Sequence, residues 1–87
     1  MSNFTSNEEF FAALRALIDR LEKQGNTAAA QELRSGFARL NGLTDGWALL
    51  MESIERTIAT NRGTIGKADM LELHDMLKGV KKVVYRR

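Results

Sequence analysis

The stretch SNEEFFAALRALIDRLEKQGN, from Ser6 to Asn26, decides the fold class. Ser6 and Glu9 stand at the spacing of a capping box. In that motif the serine oxygen accepts the backbone N–H of the third helical residue while the glutamate reaches back to the serine N–H. Phe10, Leu14, Leu17, Ile18 and Leu21 then fall at i, i+4, i+7, i+8 and i+11, which is one face of an α-helix. Asp19 and Lys23 add an i,i+4 ion pair, and Gly25 suits the left-handed position that ends a helix. These signals predict a helix near 7–24.

Similar punctuation recurs along the 87 residues. Asn26 or Thr27 is a competent cap for a second helix near 27–41, with an inner face of Ala29, Leu33, Gly36, Phe37 and Leu40. Glycine costs roughly 1 kcal/mol in a helix interior, so Gly36 on the apolar face predicts close approach by another helix. Asn41-Gly42 supplies the stop, with Leu43 placed to fold back on Phe37 or Ala38. Thr44 and Asp45 open a third helix near 45–62, carrying the stripe Trp47, Leu50, Met51, Ile54 and Ile58 and, opposite it, the pair Glu52 and Arg56. Asn61-Arg62-Gly63 ends that helix and Thr64-Ile65-Gly66 leads into a fourth near 67–84.

No segment alternates with period two over a useful length, and there is no proline. Short connections favour antiparallel neighbours. The expected fold is all-α: a compact four-helix bundle built from two antiparallel helical hairpins, one domain over 1–87 with a short basic C-terminal tail.

Composition removes several function classes. The chain is 44% hydrophobic and 28% charged, ordinary for a globular domain, and it has no cysteine. Disulfides, cysteine-based zinc or iron–sulfur sites and thiol nucleophiles are therefore excluded. No apolar run approaches the ~18 residues a membrane span needs. Met1–Thr5 shows no basic segment leading into an apolar one, so no signal peptide is expected and a cytoplasmic setting follows.

The net charge of +2 is uneven. Residues 1–43 are balanced, residues 44–77 sum to −3, and Lys78, Lys81, Lys82, Arg86 and Arg87 put +5 on the last ten residues. A tail, rather than the whole domain, makes the chain basic. Its plain reading is that cations favour the C-terminal end of a helix and interrupt Val80, Val83 and Val84 against aggregation. The alternative is contact with nucleic-acid phosphates, with Tyr85 stacking on a base.

Candidate chemistry is sparse. His74 is the only histidine, and neither a histidine nor a carboxylate stands three or four residues after it to complete a metal face. The serines lack the glycines of a nucleophile elbow, and the glycines lack phosphate-loop spacing. No enzyme activity, cofactor or metal is expected. The fourth helix carries eight apolar residues between Met70 and Val84, which we read as covering about two-thirds of its circumference. Leu49 also points away from its helix's stripe. Surplus apolar surface on so small a domain predicts a homodimer or a protein partner, through Leu49, Leu71, Leu73, Met76, Val80, Val83 and Val84. The expected function is thus a non-catalytic helical interaction module, of a regulatory, adaptor or toxin-neutralising kind.

Overall fold

The computed structural model describes residues 7–40 and 46–85. It contains α1 (Asn7–Lys23), α2 (Thr27–Ala38), α3 (Gly46–Thr60) and α4 (Lys67–Val84), packed as a four-helix bundle with a Cα radius of gyration of 12.0 Å. The expected fold class holds, and the helix limits shift by only a few residues. The capping residues Ser6, Thr44 and Asp45 and the Asn41-Gly42-Leu43 closure lie outside the described residues.

The turn between α1 and α2 follows directly from its sequence. Gly25 has φ +88°, the left-handed conformation that a side chain would penalise. Its N–H donates to the Glu22 carbonyl at 3.1 Å, and the Asn26 N–H donates to the Leu21 carbonyl at 2.8 Å. This pair of bonds is a Schellman closure. Asn26 does occupy the N-cap of α2, but its side chain makes no capping bond; it reaches toward Gln24 Oε1 at 3.5 Å instead. At the other end of α2 the Arg39 and Leu40 N–H groups donate to Gly36 and Phe37 carbonyls, a tightening of the last turn.

Gly36 and Ser53 meet where α2 crosses α3. A Cβ placed on Gly36 would overlap the Ser53 Oγ and Cβ and lie 3.3 Å from Leu50 Cδ1. The expected close approach is therefore realised. α3 is wider in its burial than its apolar stripe indicated. Besides Leu50, Ile54 and Ile58 it buries Ser53 and Thr57, because it packs against both α2 and α4. The Thr57 hydroxyl donates to the Ser53 carbonyl at 2.7 Å, which satisfies it inside an apolar core. Ile65, in the α3–α4 connection, is also buried.

The two ends of the bundle are chemically unlike. Where α1 and α3 begin and α2 ends, Phe10, Phe11, Phe37 and Trp47 form an aromatic cluster, with Phe11–Phe37 centroids 5.5 Å apart and Phe10–Trp47 centroids 5.8 Å apart. Where α1 ends and α4 begins, the contacts are ionic. Arg20 Nη2 donates to Asp69 Oδ1 at 3.1 Å and to Glu72 Oε1 at 2.6 Å, and Gln24 Nε2 donates to Asp69 Oδ2 at 3.2 Å. Burial opposes the charge on Arg20, yet the hydrogen bonds and charges of Asp69 and Glu72 outweigh it and raise its pKa.

Ion pairs join each helix to its neighbours around the ring. Glu22–Arg34 links α1 to α2 at 3.0 Å, Glu32–Arg56 links α2 to α3 at 3.3 Å, Glu55–Lys81 links α3 to α4 at 3.8 Å, and Arg20 closes α4 onto α1. Arg56 thus pairs across to Glu32 rather than along its own helix to Glu52, as its spacing had suggested. The expected Asp19–Lys23 pair is present at 3.7 Å.

Candidate functional site

α4 sorts its residues by face. Asp69, Leu73, Met76 and Val80 are buried, with Leu73 and Met76 at 0% exposure and Val80 at 1%. This corrects the expectation that these three apolar residues belong to a partner surface: the monomer's own core contains them. The reason is angular. At 100° per residue, seven of the eight apolar residues between Met70 and Val84, all but Leu71, fall within an arc of about 140°, which the bundle covers. Leu71 alone, diametrically opposite, made the apolar arc read as two-thirds of the circumference.

The remaining members of the expected surface are scattered. Leu71 is 59% exposed, Leu49 and Val83 are half-buried, and Val84 packs against the core from its flank. The structure does not gather the seven residues into one exposed apolar patch.

The outward side of α4 is instead cationic. Its exposed residues are Lys67, Ala68, Leu71, His74, Lys78, Lys81 and Lys82, followed by the cap residue Tyr85, which is 70% exposed. Lys67, Leu71, His74, Lys78, Lys82 and Tyr85 recur every three or four positions, so they form one row along the helix. None of these exposed positions is acidic. The acids of α4 lie elsewhere: Arg20 engages Asp69 and Glu72, and Asp75 is half-buried at the flank of the row. Lys81 leans toward Glu55 at 3.8 Å, with both side chains nearly half exposed. Arg86 and Arg87 continue the basic run but lie outside the described residues. Sequence reasoning noted Lys78, Lys81, Lys82 and Tyr85 as a tail and missed that Lys67 and His74 extend the row by three turns. Helical periodicity of polar residues, applied as for apolar ones, would have found it.

An open groove of about 540 Å³ lies between α1 and α2, lined by Arg15, Ala16, Ile18, Asp19, Arg34 and Phe37. Its cations already have partners. Arg34 makes a two-pronged pair with Glu22, both bonds at 3.0 Å, which lowers the Glu22 pKa, and Arg15 sits over the Phe37 ring at 5.6 Å. Among the described residues no group of three histidine or carboxylate side chains is arranged to hold a metal ion, and no helix is long and apolar enough to cross a membrane. Comparison of the chain with protein-family models, curated proteins and solved structures returns no match.

Proposed function

We propose that this chain is a small, non-catalytic interaction module whose working surface is the outward row of α4. The sorting of α4 carries this: its apolar side faces the core while Lys67, His74, Lys78 and Lys82 face solvent with no acid among them. Three lysines on one helix face, Lys67, Lys78 and Lys82, form a localised positive field on a body that is otherwise balanced or acidic, and such a field attracts anionic partners. The polar side chains that are buried serve the fold, Thr57 bonding to the Ser53 carbonyl and Asp69 joining α4 to α1.

Self-association through α4 has less to draw on, because Leu73, Met76 and Val80 are used inside the monomer. Retention on immobilised heparin in a salt gradient tests the assignment of the surface. The double variant Lys78→Glu/Lys82→Glu should elute at clearly lower salt than the parent, whereas Lys23→Glu on α1 should shift little. A shift for Lys23→Glu half that of the double variant, in proportion to the charge reversed, would mean that only net charge matters and that α4 has no special role.

A further inference from the structure

We infer that the row on α4 binds the phosphate backbone of single-stranded nucleic acid, with Tyr85 as a stacking platform for one base. This rests on α4 being the interaction surface and adds what it recognises. The row runs from Lys67 to Tyr85, 18 residues at 1.5 Å each, about 27 Å. That length spans no more than about eight nucleotides at a stacked rise of 3.4 Å. Lys67, Lys78, Lys81 and Lys82 supply the cations and His74 a ring N–H donor, all exposed. Lys81 is held only by a solvent-exposed contact to Glu55 at 3.8 Å, which a phosphate can replace.

Tyr85 distinguishes among anionic partners. Its ring is 70% exposed at the end of the lysine row, where an unpaired base has a free face to stack on it and a duplex offers none. An acidic peptide would engage the lysines without needing the ring. An anionic membrane would require an apolar face to insert, and the only large aliphatic side chain on the outward row is Leu71.

Fluorescence anisotropy with a labelled 12-nucleotide single strand tests this, with the matching duplex, polyglutamate and phosphatidylserine vesicles as competitors. The single strand should bind with a slope of log K against log salt of about −3, from four cations at −0.7 each. Lys78→Glu/Lys82→Glu should reduce that slope to about −1.4 or shallower. Tyr85→Ala should weaken the single strand about 5-fold or more while leaving its salt slope and the binding of polyglutamate unchanged. Polyglutamate or vesicles displacing the strand at equal charge concentration, with Tyr85→Ala neutral, would overturn nucleic-acid recognition and leave the α4 surface standing. Indifference of every ligand to Lys78→Glu/Lys82→Glu would overturn both. Thermal melting of each variant, expected within a few degrees of the parent, confirms that the fold persists.

Discussion

Gly36→Ala sets two physical effects of opposite sign against each other. On an open helix the change would stabilise by about 1 kcal/mol through helix propensity. Here the new methyl would lie about 2.5 Å from Ser53 Cβ and 3.3 Å from Leu50 Cδ1. Carbon atoms prefer about 3.5–4.0 Å, so α2 and α3 must separate locally by about 1 Å or more. Overpacking of this kind costs about 1–3 kcal/mol, leaving a net loss of roughly 0–2 kcal/mol. For a domain of this size 1 kcal/mol moves Tm by about 4–8 °C. We expect Tm to fall by up to about 15 °C in a calorimetric or circular-dichroism melt. Ser53→Gly removes the obstructing atoms, so the double variant Gly36→Ala/Ser53→Gly should be more stable than the two single changes predict when added. The coupling in that cycle should be about 0.5–3 kcal/mol, as for residues in contact. A rise in Tm for Gly36→Ala alone by the full propensity gain, with no coupling to Ser53, would refute the close crossing.

Leu73→Ala should cost about 2–5 kcal/mol in denaturant unfolding, because the side chain is fully buried, whereas Leu71→Ala should stay within about 0.5 kcal/mol. Comparable losses at the two positions would contradict the orientation of α4. Glu22 should titrate below 4.5 in a carboxyl NMR titration, and Arg34→Met should return it to about that value. Since the folded pKa is the lowered one, the pair's contribution is present above the unfolded pKa and disappears as pH falls through the folded value. Asp69→Ala removes the shared acceptor of Arg20 and Gln24 and should destabilise by about 1–2 kcal/mol, discounted because Arg20 is 43% exposed and keeps Glu72. A melt unchanged by that substitution would remove the ionic closure between α1 and α4 from the account of stability.

The helices were legible because their signals are local: the stripe of α1, the left-handed Gly25 and the small Gly36 all act within a few residues of sequence. The candidate surface was less so. Whether an apolar residue on α4 is surplus depends on the width of the groove it enters, and that is set by α1 and α3 together. The angular part was legible: at 100° per residue Leu71 stands opposite Leu73 and Val80, and it is 59% exposed where they are buried. Ser53 and Thr57 are polar in sequence and buried in space for the converse reason, since α3 has neighbours on two sides. The choice of Glu32 over Glu52 by Arg56 likewise depends on which helix lies alongside α3.

Lys67 separates the two explanations of the basic row. Lys81 and Lys82 in the last turn of α4 are where the helix dipole favours cations, so those positions alone need no ligand. Lys67 is the first residue of the same helix, where the dipole disfavours a cation and Gly66 at the N-cap makes no side-chain capping bond. Solubility does not call for it either, because Ala68 and Leu71 are the only apolar residues among its exposed α4 neighbours. A lysine held at an unfavourable helix end, in register with His74, Lys78 and Lys82, fits a row selected for what it contacts. Lys67→Glu should therefore stabilise the fold by about 0.3–1 kcal/mol, a Tm gain of several degrees, while weakening the single strand and making its salt slope shallower by about 0.7 or more. Greater stability with unchanged nucleic-acid affinity would put Lys67 outside the contact surface and confine the cationic function to the last turns of α4.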